Sequence, residues 1–269
     1  MKYFFLSLIA LSFVQYSHSE CKLQSSEVIK IGCTYDQCGF FNRFALKNFA
    51  RDKKYNIEFI SIDKKALSSQ QVDAVLIPGG ADINPNYYAT LLPKETDLTL
   101  SKLTPEGKKR DPIELGLLEK YFSLPKSKSP PLLGICRGMQ AISIAQGVPL
   151  ILDLKTQLNL KNRIYTIDKV TQRAPSSIFT KHNEAHALEL HHQAMDFQYY
   201  LNNKDRFQHF TVTALSNDGI IPEILEFKDR PVLGVQFHPE LSLGKLRKNV
   251  FNWFLDQACQ YKNSQKENT

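Results

Sequence analysis

A three-layer α/β/α domain with a mostly parallel central sheet is the fold class predicted by this 269-residue sequence, on three observations. Apolar runs of strand length alternate with helically periodic segments, the order expected of a parallel sheet covered on both faces. Two of these runs, Ala74–Ile77 and Pro131–Ile135, are apolar throughout, as in strands buried on both sides. No internal repeat or linker-like stretch divides the chain.

The elements follow in order. Val28–Cys33 reads as the first strand, and Phe40–Arg51 as a helix in which Phe41, Phe44, Ala45 and Phe49 recur at helical spacing. Ile57–Ile62 alternates as a strand, and Ala74–Ile77 is stopped by Pro78-Gly79-Gly80. From Ala81 to about Lys109 periodicity is lost, with Pro85, Pro93 and Pro105 spread along a segment that reads as a lid or binding loop. Asp111–Phe122 reads as a helix, with Asp111 as cap and Pro112 in the first helical position. Pro131–Ile135 runs straight into Cys136 and a helix to about Gln146. Arg163–Val170, Phe210–Leu215, Ile224–Phe227 and Val232–Phe237 are further strands. Ser242–Gln260 is a closing amphipathic helix, and Lys262–Thr269 a polar tail expected to fray.

Composition narrows the function classes. A 42% hydrophobic content with 17 Phe and 11 Tyr excludes a disordered chain, and 12 Gly and 13 Pro exclude collagen-like and low-complexity classes. The net charge of +7 is spread over pairs such as Lys53-Lys54 and Lys64-Lys65 and the triplet Lys108–Arg110, with acids between them. That pattern is a solvated surface, and no nucleic-acid partner is expected.

The first nineteen residues read as a secretory signal peptide. Met1-Lys2 is followed by an uncharged apolar run from Tyr3 to Tyr16, then by Ser17-His18-Ser19, with small residues flanking a cut before Glu20. The run is shorter than the ~20 residues a spanning helix needs, so no stable membrane anchor is expected. Ser19-Glu20 before Cys21 argues against a lipoprotein. The chain divides into residues 1–19 as signal, 20–261 as one catalytic domain and 262–269 as tail. Export implies an oxidising destination, whether periplasm, extracellular medium or lysosome. The mature cysteines Cys21, Cys33, Cys38, Cys136 and Cys259 are odd in number, so one is left over. Cys33–Cys38 with Cys21–Cys259 is one of the three pairings open to the other four.

Chemistry concentrates at Gly134-Ile135-Cys136-Arg137-Gly138. A nucleophile between a strand and a helix sits on a strained turn, with small residues two positions to either side so that the chain can fold back. The helix N-terminus favours negative charge and is expected to lower the Cys136 pKa, and the Arg137 amide lies where an oxyanion forms. A thiol nucleophile needs a base and the base an orienting group. His238 follows the apolar run Val232–Phe237 at the carboxyl edge shared with Cys136, and Glu240 stands two residues on.

Gly134–Gln140 together with Gly234–Glu240 resembles the class I glutamine amidotransferase superfamily. Pro78–Pro85, Arg110-Asp111 with Glu114, His191-His192-Gln193 and Ser216–Gly219 resemble its γ-glutamyl-γ-aminobutyrate hydrolase and γ-glutamyl hydrolase branch, so the likeness runs from about Val28 to Phe254. The resemblance implies Cys136 as nucleophile, His238 as base, Glu240 as its orienter, and the amides of Gly80 and Arg137 as oxyanion hole. Glu189-Leu190 departs from the Asn-Ser expected before His191, and Phe237 replaces the usual Trp.

The activity so implied is hydrolysis of γ-glutamyl amides through a thioester on Cys136, with no cofactor. A glutaminase subunit and a binding protein on a decayed version of the fold are the alternatives. Gln140, His191, His192 and Gln193 are candidate substrate-binding residues, although His191 and His192 point to opposite faces if extended. The Arg137 side chain is open to a substrate carboxylate or a salt bridge, and Gln140 to the pocket or to core packing. No metal site is expected, because no convergent acids accompany the histidines. His182 and His186 read as surface residues. The partner is a small γ-glutamyl substrate, and homodimerisation is left open.

Overall fold

The computed structural model describes residues 21–63, 65, 67, 71–179 and 182–267. The segment read as a signal peptide lies outside the described residues. In chain order, β1 (Val28–Cys33), β2 (Asn56–Ser61), β3 (Ala74–Ile77), β4 (Leu132–Ile135) and the late β11 (Val232–Val235) run parallel, side by side in the order β2-β1-β3-β4-β11. Beyond β11 the sheet continues antiparallel through β10 (Pro222–Phe227), β9 (Phe210–Leu215), β6 (Arg163–Gln172) and β7 (Glu184–His191). A separate small ladder joins β5 (Leu150–Ile151) and β8 (Ala194–Met195).

Alternation along the parallel strands feeds two cores. Ile29, Ile31, Leu76, Leu133 and Val235 pack with Phe251 and Phe254 under α1 (Phe40–Asp52) and α6 (Lys245–Glu267). Val75, Ile77, Leu132 and Val232 face the other way, against Leu117, Met139 and Ile142 of α2 (Pro105–Ser123) and α3 (Arg137–Ala145). The result is the three-layer α/β/α arrangement. Two short helices, α4 (Leu154–Leu158) and α5 (Phe197–Asn202), lie between strands of the second half.

The antiparallel wing is joined loosely at one place. β6 meets β9 through Thr171–Leu215 and Gln172–Ala214 alone, so the wing is free to curl. Its last strand returns to the far side of β11: the His238 amide donates to the Leu188 carbonyl at 2.8 Å, and the Leu188 amide to Ser242 Oγ at 2.9 Å. That return makes β7 a wall beside the residues that follow β11.

Several boundaries differ from the sequence reading. α2 begins at Pro105, with the Thr104 hydroxyl accepting from the Gly107 amide, so Thr104 is the cap and Asp111 is not. Pro112 lies inside the helix, which continues because Arg110, Asp111, Glu114, Leu117 and Leu118 are buried on one side of it. The loop shortens accordingly to 81–104 and holds three single 3₁₀ turns. α6 starts at Lys245 and runs through the expected tail to Glu267, while β11 stops at Val235. β7 has no counterpart in the sequence reading, because its buried positions are Ala187, Glu189 and His191, a polarity opposite to the usual strand signal.

Cys21 pairs with Cys259 and Cys33 with Cys38, and Cys136 is the free thiol among the described residues. The first bond ties the segment before β1 to α6 across 238 positions. Replacing Cys21 and Cys259 together by serine should lower unfolding stability by roughly 2–5 kcal/mol. Urea denaturation with and without reductant checks this, and the double variant should show no further loss when the reductant is mild enough to spare Cys33–Cys38.

Candidate active site

Cys136 occupies the junction of β4 and α3 at φ 49°, ψ −104°, a conformation that costs an L residue of the order of 1–3 kcal/mol. The turn is possible because the flanking positions are bare. A Cβ on Gly138 would lie 2.1 Å from the Ile77 carbonyl oxygen, and one on Gly134 2.6 Å from the backbone of Gly138. Cys136 does not cap its own helix, which leaves the first-turn amides of α3, Arg137 among them, at the base of the thiol.

His238 and Glu240 complete a line from the sulfur. Glu240 Oε1 lies 2.6 Å from His238 Nδ1, and the opposite nitrogen, Nε2, is buried with no hydrogen-bond partner among the described residues. Burial lowers the imidazole pKa. Its interaction with Cys136, reinforced by Glu240, outweighs burial and holds His238 well above the ordinary histidine value. Gly79 marks how close these groups are: a methyl group there would stand 2.7 Å from His238 Cε1 and 3.5 Å from Cys136 Cβ. The three predicted residues are thus brought together.

Gly80 follows in a φ of +152°, where a Cβ would meet Arg110 Nη1 at 2.1 Å. Arg110 holds the loop from below, donating to the carbonyls of Pro78 at 2.7 Å and Gly79 at 2.8 Å. Arg137 takes the next carbonyl, that of Ala81, at 2.6 Å. Both guanidiniums meet Glu114, and Arg137 also meets Asp111 at 2.7 Å, all four side chains being 1% exposed. The Arg137 side chain is therefore committed to this ion network, which answers the question the sequence left open. Arg110, Asp111 and Glu114 carry a positioning role that motif reading does not assign, since only the fold brings them under residues 78–81.

The predicted wall residues have protein partners. Gln140 Nε2 donates to the Gln193 carbonyl at 3.1 Å and lies 3.4 Å from Gln236 Oε1; Gln236 Nε2 in turn donates to Cys136 Sγ at 3.6 Å. Gln236 is a contact the sequence reading misses, although its place two residues before His238 is visible in the chain. Gln193 donates to Ser101 Oγ and to the Leu152 carbonyl, so it builds the wall from behind. His192 bridges Asp82 and Asp153 at 3.0 and 3.2 Å. His191 turns the other way and is buried. The expectation of no convergent acids fails here: Glu189, His191 and Glu223 offer ligand atoms within 4.8 Å of one another, on strands more than thirty residues apart. His182 and His186 are exposed.

A buried cysteine on a strand–helix elbow, with a histidine and glutamate behind it and helix-end amides at its base, forms the candidate active site of a glutamine amidotransferase-like fold. The chain belongs to the peptidase C26 family, whose profile matches residues 60–240. It is 31% identical to the glutamine amidotransferase-like protein YvdE of Lactococcus lactis over 183 residues, 63% of this chain and 66% of that protein. Protein NtpR of Enterococcus hirae is 28% identical over 70% of this chain and 75% of its own length. The arginine-specific carbamoyl phosphate synthase small chain of Yarrowia lipolytica is 26% identical over 56% of this chain; the match spans only 30% of that protein. Among solved structures, a Thermoplasma acidophilum protein described as a GMP synthase subunit superposes with a TM-score of 0.60 at 22% identity, over 89% of this chain and 98% of that one, a likeness of fold.

The hydrogen bond to Asp82, helped by the charge of Asp82 and the hydrogen bond to Asp153, raises the His192 pKa against the opposing effect of burial. A group whose pKa is higher folded than unfolded contributes stability that is full below its ordinary value, 6.5 here, and is lost as pH rises through the folded value. Urea midpoints from roughly pH 6 to pH 9 should therefore fall less steeply in His192→Gln than in the parent. Identical slopes would show that the bridge contributes nothing.

Proposed function

We propose that this protein is an exported cysteine hydrolase of γ-glutamyl amides. The observation that carries the reading is the alignment of one free thiol, Cys136, with the buried His238–Glu240 pair at the helix-end amides, while the other cysteines of the described chain are paired. Two disulfides suit an oxidising compartment, in keeping with the leader-like residues 1–19.

In the reaction so proposed, the Cys136 sulfur attacks the γ-carbonyl carbon and the carbonyl oxygen takes up negative charge against the amides of Gly80 and Arg137. His238, protonated at Nε2, gives that proton to the leaving nitrogen as the C–N bond breaks, leaving a γ-glutamyl thioester and free amine. Water then loses a proton to His238 Nε2 and attacks the thioester; collapse releases the γ-glutamate carboxyl product and returns the thiolate. Glu240 keeps Nδ1 protonated throughout, so the catalytic nitrogen faces the sulfur. Gln236 contacts the sulfur from the side and steadies its direction.

A glutaminase subunit that passes ammonia to a synthetase is the second reading, favoured by what relatives such as the carbamoyl phosphate synthase small chains are called. Mass-spectrometric assay of γ-glutamyl peptides, polyglutamyl chains and free glutamine separates the two. Release of glutamate from γ-glutamyl peptides, abolished in Cys136→Ala and lowered roughly 10²–10⁴-fold in Glu240→Gln, is expected. Preferential hydrolysis of free glutamine would favour the second reading, and full activity of Cys136→Ala would overturn both.

A further inference from the structure

We infer that Glu189, His191 and Glu223 form a buried binding site for one zinc-class divalent cation, which fastens β7 to β10 behind the pocket wall. The three residues offer ligand atoms within 4.8 Å of one another, and none is more than 4% exposed.

The space is lined by one imidazole and two carboxylates, several of whose atoms have no hydrogen-bond partner among the described residues. His191 Nδ1 lies 2.9 Å from the Gln193 carbonyl oxygen, and a carbonyl can only accept. Nδ1 therefore donates to that carbonyl, and Nε2 is the ring nitrogen turned toward the two carboxylates. An outer hydrogen bond of this kind, from one ring nitrogen to a backbone carbonyl, orients metal-ligating histidines. His191 Nε2, Glu189 Oε1 and both carboxylate oxygens of Glu223 are buried and without hydrogen-bond partners among the described residues. Nε2 approaches Glu189 Oε2 at 3.4 Å. Groups this close in a buried site need a positive centre between them, a proton or a metal ion, and the metal ion is the one inferred here.

The neighbouring cation does not fill that role. Arg163 reaches Glu189 Oε2 at 2.9 Å, but it also pairs with Asp168 and with Asp218, the last at 2.6 Å. One guanidinium thus serves three carboxylates and leaves Glu223 unserved. Its contact to Glu189 uses Oε2, so Oε1 remains open to the cavity.

The donor set selects the class of ion. One imidazole nitrogen and two carboxylates suit zinc, with Glu223 able to supply both oxygens toward four-coordination. Calcium and magnesium require six or more oxygen ligands or retained waters, which a fully buried nitrogen-containing site does not offer. The placement assigns the ion a supporting role. On β7, the Leu188 carbonyl accepts from the His238 amide and the Leu190 carbonyl lies 4.0 Å from Cys136 Sγ. On β10, the Glu223 carbonyl accepts from the Gln236 amide at 3.0 Å. An ion joining Glu189 and His191 to Glu223 would lock the two strands that set the positions of His238 and Gln236. The inference does not depend on which amide Cys136 cleaves.

The test uses the full chain after its leader, in a Cys136→Ala background so that the catalytic thiol cannot take the metal. Chelator-treated protein is titrated with zinc, metal content is measured by mass spectrometry after gel filtration, and the zinc X-ray absorption spectrum is recorded. Expected are one zinc per chain, a shell of nitrogen and oxygen with one imidazole and no sulfur, and affinity weakened on the order of 100-fold or more in Glu223→Gln. Should Glu223→Gln fail to fold, the spectrum of the parent decides alone. Failure of the folded protein to take up zinc would show that a proton shared by the two glutamates occupies the space, and would overturn the inference. So would a sulfur-containing shell, or unchanged uptake in folded Glu223→Gln.

Discussion

Backbone contact between α3 and the end of β3 is the constraint from which the site follows. Gly138 sits against the Ile77 carbonyl so closely that any side chain would collide with it. Because the helix can approach to that distance, its first turn lies under the exit of β3, and the chain leaving β3 must pass over Cys136. That exit is Pro78-Gly79-Gly80. A glycine at 79 then fits between the nucleophile and His238, and the following glycine turns the amide segment back over the helix end. One close packing contact thereby places the thiol, the helix-end amides and the loop above them in a fixed relation. Its cost falls on Cys136, whose backbone lies outside the regular regions.

Close packing sets where the loop lies, and charge sets how it is oriented. Residues 78, 79 and 81 each present a carbonyl to a buried guanidinium, Arg110 for the first two and Arg137 for the third. Their counterions Glu114 and Asp111 lie one turn apart on α2, at the spacing that puts both on the same face. Burying two arginines and two carboxylates gains little net stability, because desolvation offsets most of the attraction. What the arrangement does supply is direction: the carbonyls of residues 78, 79 and 81 are all held toward the buried arginines, which fixes the orientation of the loop. Thr34 adds its hydroxyl to Glu114 at 2.9 Å, which couples the end of β1 to the same network.

The parts legible in the sequence are those with a local signature. A strand running into Gly134–Gly138, and a second ending in His238-Pro239-Glu240, identify nucleophile, base and orienter because each motif is complete within a few residues. The five parallel strands are legible because each is a short, strongly apolar run with a turn signal or a helix after it. The antiparallel wing is legible only in part. On β7 the buried face carries Glu189 and His191, whose partners Arg163 and Glu223 come from other strands, so local hydrophobicity points the wrong way. The start of α2 is hidden by Pro105, which reads as loop punctuation although Thr104-Pro105-Glu106 also satisfies the requirements of a helix beginning. Gln236 escapes a sequence reading because an amide becomes informative only once its neighbours are known.

The cysteine arrangement brings a hazard that the fold resolves. A free thiol beside a basic imidazole is able to attack disulfides by exchange. Cys33 ends β1, and Cys136 follows β4 at the same edge of the sheet. The intervening strand β3 and its Pro78–Gly80 exit stand between them. Cys33 is bonded to a cysteine only five positions away, within a turn whose residues 36–39 all have positive φ, so its partner has no freedom to leave. The other bond is anchored on α6 in the layer behind the sheet. Cys136 itself is 4% exposed, with Gln236 Nε2 and the Leu190 carbonyl against its sulfur. Burial of Cys136, together with the strand that separates it from Cys33, thus keeps the free thiol apart from both disulfides.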